Sequence, residues 1–123
     1  MTQTTIDIEL DEEMRDRIKT LAAARRRSAH WIMKEAIGQY LAREEAAEHL
    51  QEALRLNPED ARAHNSLGYL LAAEDPAEAI EHYKRALDIA PDFTLALNNW
   101  GNALMDVGLL EEAEAKYREA LGV

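Results

Sequence analysis

Cysteine is absent from the 123 residues, which excludes a disulfide scaffold and any thiolate metal site and is compatible with a reducing compartment. No apolar run approaches the ~20 residues a membrane span needs. Met1-Thr2-Gln3-Thr4 lacks a charged start followed by an apolar core, so no signal peptide is expected either. Serine occurs only at Ser28 and Ser66, neither in a G-x-S-x-G elbow, and no glycine-rich loop follows a strand to cradle a phosphate. The many glutamate pairs fall on solvent faces of helices, where they serve solubility rather than acid-base work. The expectation is a cytoplasmic protein without catalytic residues, cofactor or membrane association.

What the chain has in excess is acid, unevenly placed. Its net charge is -10; residues 1–43 carry eight Lys/Arg against seven Asp/Glu, whereas residues 44–123 carry six against seventeen. Such an array repels phosphate backbones and attracts basic partners, although a charged helix face is in the first place solvated surface.

Thr4 to Leu10 alternates, with Ile6, Ile8 and Leu10 on one face and Thr5, Asp7 and Glu9 on the other, the period-two mark of a half-buried strand. A lone strand leaves its N–H and C=O groups unpaired, so pairing with the same strand of a second copy is expected. Asp11 then stands at an N-cap, and Met14, Ile18, Leu21 and Ala22 share one helical face up to about Ala24. The run Arg25-Arg26-Arg27 makes a turn and Ser28 caps the next helix. In that helix Ile32, Ala36, Tyr40, Ala47, Leu50 and Leu54 keep a stripe until Asn57-Pro58 stops it. No proline and only Gly38 interrupt Ser28 to Leu56, which predicts one long helix. Four shorter ones follow: about Ala61 to Ala73, Pro76 to Ile89, Thr94 to Val107 and Leu110 to Leu121. Asp75-Pro76-Ala77-Glu78 combines an N-cap, proline at the first helical position and a capping-box glutamate, and Gly108 suits a left-handed helix end.

Residues recur along these helices. Leu67-Gly68 returns as Trp100-Gly101, and Ala46, Leu50, Ala53 and Pro58 return as Ala79, Tyr83, Ala86 and Pro91. Ala113, Tyr117 and Ala120 follow Ala79, Tyr83 and Ala86 at a spacing of 34. This pattern resembles tetratricopeptide (TPR) repeats, stacked helix pairs in which small residues mark the closest helix approach. The resemblance covers a half repeat at 44–58 and full repeats at 61–91 and 94–123. It implies a protein-binding solenoid whose concave face is made by the first helix of each pair. Here that face would show Arg62, Asn65, Tyr69, Asn98, Asn99, Asn102 and Met105, the asparagines suited to hold an unidentified extended peptide by its backbone. Only Arg62 is cationic there, so no clamp for a terminal carboxylate is expected. His49 and His82 are equivalent repeat positions, but the third copy is Lys116, so no metal ligand is assigned.

Residues 1–43 look like a second family. Leu10-Asp11, Arg15, Arg17-Ile18-Lys19, Arg27, His30-Trp31, Lys34, Ala36-Ile37 and Tyr40-Leu41 resemble the ribbon-helix-helix domain of proline utilisation regulators, a CopG/antitoxin-type fold. The resemblance implies a homodimer joined through Ile6, Ile8, Leu10, Trp31 and Ile37, with the strands in an intermolecular antiparallel ribbon. It also implies DNA contacts from Thr5, Asp7 and Glu9 on the ribbon, and a phosphate held at Arg25, Arg26, Arg27, Ser28 and His30. Asp7 and Glu9 oppose base readout, because a dimer would set four carboxylates against phosphates and base acceptor edges.

The fold class is therefore mainly α: a ribbon-helix-helix segment, 1–43, joined through a shared long helix to a short TPR solenoid, 44–123. Trp31 and Trp100 sit in apolar stripes and are assigned to the core. The array stops directly after a repeat helix, and Leu104, Leu110 and Tyr117 are expected to meet another chain, giving a dimer of dimers. Two functions remain: a regulator or antitoxin that binds DNA and senses a protein through its array, and a protein-binding scaffold or engineered fusion that leaves DNA alone.

Overall fold

The structure, a computed structural model, describes residues 10–123. Among the described residues there are six helices and no strand: α1 (Glu12–Arg25), α2 (Ala29–Leu56), α3 (Ala61–Leu71), α4 (Pro76–Ile89), α5 (Thr94–Asp106) and α6 (Leu110–Leu121). The expected strand, with Thr5, Ile6, Asp7, Ile8 and Glu9, lies outside them; Leu10 is half-buried and in no regular element. Two compact units divide the chain between Ala42 and Arg43.

In the first unit Asp11 caps α1, its side chain accepting from the Met14 N–H at 2.7 Å. The helix ends without glycine. Arg26 takes the left-handed conformation at φ 53°, and the Arg27 N–H reaches back to the Ala22 carbonyl at 2.9 Å, the pattern that normally recruits glycine. Ser28 then accepts from the Trp31 N–H at 3.0 Å and starts α2. That helix holds 28 residues and is about 42 Å long, because nothing before Asn57-Pro58 removes a donor or turns the backbone. Among the described residues of this unit only Ala22 and Ile32 are buried. Tyr40, expected in the apolar stripe, is exposed.

In the second unit α3 packs on α4, α4 on α5 and α5 on α6, the succession of a helical-pair solenoid. Asp60 caps α3 through the Ala63 N–H at 3.1 Å. The helix stops at Leu71 rather than Ala73, because the Glu74 and Asp75 N–H groups both close onto the Leu71 carbonyl. Asp75 caps α4 through the Glu78 N–H at 3.1 Å. Its own N–H is spent on Leu71, 2.8 Å away, so the capping box is formed on one side only. Gly108, at φ 84°, turns the chain from α5 into α6.

Small residues set how closely the pairs approach. A Cβ on Gly68 would lie 2.6 Å from Cε1 of Tyr83, and one on Gly101 would lie 2.5 Å from Cε1 of Tyr117. Ala79, Tyr83 and Ala103 form the buried centre, with Ala72, Ile80 and Trp100 against it. Trp100 is half-buried, with the Lys84 and Lys116 ammonium groups 5.8 and 4.0 Å from its ring centroid. Two expectations are corrected here. Ala53 is exposed rather than at a close approach, and Leu104 is buried among its own neighbours. Of the other two residues expected to meet another chain, Tyr117 is half-buried with its ring on Gly101, and Leu110 is 61% exposed.

Candidate functional site

The face shared by α3 and α5 is tied together by two asparagines, one on each helix. Asn99 donates from Nδ2 to Oδ1 of Asn65 at 3.0 Å. Asn65 is 5% exposed and acts as the buried anchor, while half-buried Asn99 keeps its own carbonyl oxygen and a second N–H for a ligand. Tyr69 stands beside them, 67% exposed, between two cavities.

One cavity, about 400 Å³, is walled by Tyr69, Leu70 and Leu95 with Asn65, Ser66 and Asn99 at its edge. The other, about 290 Å³, lies among Arg43, Tyr69, Leu70, Tyr83, Asn99, Asn102 and Asp106. In this second cavity burial, helped by Tyr69 and Asp106, pushes the Tyr83 phenol up to about 12, so its hydroxyl stays neutral. Asn102 is exposed, and its Oδ1 accepts from the Tyr117 hydroxyl at 2.5 Å. The same hydroxyl lies 3.2 Å from Sδ of Met105.

Asn65, Tyr69, Asn99 and Asn102 are thus brought together, whereas Arg62 and Asn98 are exposed and line neither cavity. Leu70, Leu95, Arg43 and Asp106 join the face without having been singled out from the sequence. Leu95 is legible in hindsight, as an exposed apolar residue on the first turn of α5, four residues before Asn99.

The basic residues of the first unit form a second cluster. Arg25, Arg26, Arg27, Ser28 and His30 are all exposed along the α1–α2 turn and the first turn of α2, which carries no acidic residue. The Arg27 guanidinium lies 4.8 Å from the Trp31 ring centroid. A groove of about 790 Å³ opens between α1 and the start of α2, lined mostly by Met14, Ile18, Leu21, Ile32, Met33 and Ala36. Trp31 is half-buried and Ile37 exposed. Among the described residues no group of three or more His, Asp or Glu could hold a metal ion, and no helix is long and apolar enough to cross a membrane.

Residues 4–44 match the ribbon-helix-helix protein, copG family, and residues 43–92 and 70–121 match the tetratricopeptide repeat. The chain is 40% identical over 78 residues to Protein FlbA of Caulobacter vibrioides, covering 63% of this chain and 13% of that protein. It is 38% identical over 74 residues to the peroxisomal targeting signal receptor of Candida glabrata, covering 59% of this chain and 12% of the receptor. The crystal structure of MamA superposes with a TM-score of 0.64 at 30% identity, over 76% of this chain and 56% of that one. The chain therefore spans well under a fifth of these two curated relatives and little more than half of the solved structure.

Proposed function

We propose, from a chain that joins a ribbon-helix-helix segment to tetratricopeptide repeats, a self-paired regulator whose arrays capture an extended peptide of a partner protein. The observation that carries the capture is the Asn65–Asn99 bond from α3 to α5, because it fixes Asn99 with a free acceptor and a free donor, the pair a peptide backbone needs. The cavities on either side of Tyr69 would take side chains from one face of the bound strand, the one walled by Leu70 and Leu95 preferring an apolar group. A receptor named for a targeting signal is among the relatives, which agrees with peptide capture. Displayed random peptides should be enriched by the full chain and lose that enrichment in Asn99→Ala; equal enrichment by both proteins would remove the asparagines from the site.

Self-pairing is supported by what the first unit leaves open. Among its described residues only Ala22 and Ile32 are buried, and the apolar groove between its helices is surface that a second copy of the same segment would cover with matching chemistry. The domains are taken as 1–43 and 44–123. DNA would be held at the α1–α2 turn by Arg25, Arg26, Arg27, Ser28 and His30, with the N-terminus of α2 aimed at a phosphate.

A second reading, a scaffold that leaves DNA alone, is favoured by Asp7 and Glu9, which place carboxylates where a ribbon would meet bases. Titration with a generic duplex at low and high salt separates the two. The regulator predicts binding that weakens steeply with salt; no binding even at low salt leaves the scaffold.

A further inference from the structure

His64 and His82, on adjacent helices, form a polar contact that peptide capture does not use. His64 is 4% exposed, and its Nε2 lies 2.9 Å from the Pro58 carbonyl oxygen. A carbonyl only accepts, so Nε2 carries the hydrogen and donates. Neutral His64 then has a bare Nδ1, and the group facing it at 3.2 Å is Nδ1 of His82, which must be the donor there. The ring centroids are 5.5 Å apart, the spacing of two rings placed end to end. The nitrogens therefore point at one another, as in a hydrogen bond, and do not converge on a third point as two ligands of one ion would. An unbroken chain runs from the turn after α2, through α3, to α4.

We propose that this chain is a proton-operated clasp whose link from α3 to α4 is closed while at least one of the two imidazoles is neutral and opens when both are charged, while Nε2 of His64 goes on donating to the Pro58 carbonyl. A first added proton enters at Nε2 of His82 and leaves both bonds intact. A second must take Nδ1 of His64 and sets two N–H donors against each other across 3.2 Å.

The surroundings decide where this happens. On α4, Glu78 and Glu81 favour a charged His82 while Arg85 opposes it. From the end of α2, Arg55 lines the same cleft, with its guanidinium held by Glu52. On α3 the Asp60 carboxylate is occupied in capping. Burial first, then His64, lowers the His82 pKa below the ordinary 6.5. For a base lowered in the fold, the unfolded chain binds more protons just below 6.5, so stability is full above that pH and falls as the solution is acidified.

The test is native-state hydrogen exchange of the full chain between pH 7.5 and 5, corrected for intrinsic exchange, beside imidazole nitrogen spectra that count the protons bound. Protection of the α3 amides from His64 to Leu67 should fall relative to α6, by about tenfold per pH unit for each proton that opening takes up. In His82→Gln the side-chain amide can either donate to or accept from Nδ1 of His64, so the conflict disappears and the fall should vanish while the fold is kept. The proposal is overturned if α3 and α6 lose protection in parallel in the natural sequence, or if His82→Gln retains the difference. The comparison within the natural sequence stands whether or not the variant folds.

Discussion

At Gly68 the missing side chain is what lets α3 and α4 touch. The Tyr83 ring it faces is buried on all sides and cannot swing away, whereas the Tyr117 ring facing Gly101 is only half-buried. Alanine at either site gains about 1 kcal/mol of helix propensity. At Gly68 overpacking outweighs that gain. Gly68→Ala should therefore lose about 1–2 kcal/mol net in urea unfolding, and Gly101→Ala clearly less, since Tyr117 can rotate outward at the expense of its bond to Asn102. Equal losses would mean that the two tyrosines are equally confined. Arg26 presents the opposite case: a side chain where glycine would be easier. Its left-handed backbone costs about 1 kcal/mol, and it sits in the cluster proposed to grip phosphate. Arg26→Gly is predicted to stabilise the chain slightly by urea titration and, if the regulator reading holds, to weaken duplex binding and flatten its salt dependence.

At the scale of the helices, punctuation was readable where a single residue type has one job. Asp11, Ser28 and Asp75 cap where short polar side chains before apolar periodicity should cap, and Asn57-Pro58 ends α2 where the backbone loses a donor. Gly68 and Gly101 likewise announced a close approach, which the facing tyrosines bear out. Harder to read was anything that depends on which neighbour a face meets. Ala53 carries the repeat's small residue yet is exposed, and Leu104, on the same pattern as surface leucines, is buried. His82 was matched to His49 by its repeat position, but its partner is His64, eighteen residues back on the adjacent helix. Periodicity gives a residue's azimuth on its own helix and not the side chain opposite. The Asn65–Asn99 bond was hidden for the same reason: α3 and α5 repeat at a spacing of 33, as Leu67-Gly68 and Trp100-Gly101 do, so the counterpart of Asn65 is the exposed Asn98, and its actual partner stands one position further along α5.

For the molecule as a whole, charge and burial divide the labour. The array, with six Lys/Arg against seventeen Asp/Glu, carries all of the net negative charge and has its own buried centre, so it is suited to stand as a folded body in solution. The first unit carries the exposed arginines and an open apolar groove, and its stability is expected to be bound up with association. Each unit also holds one of the chain's two indoles, Trp31 under Arg27 and Trp100 between two lysines. Each part thus has its own fluorophore, and light emission can follow them one at a time. In Trp100→Phe, the melting midpoint reported by Trp31 should climb as protein is concentrated; in Trp31→Phe, the one reported by Trp100 should stay put. Two midpoints that move together would reveal a single cooperative block, dissolving and melting in one step.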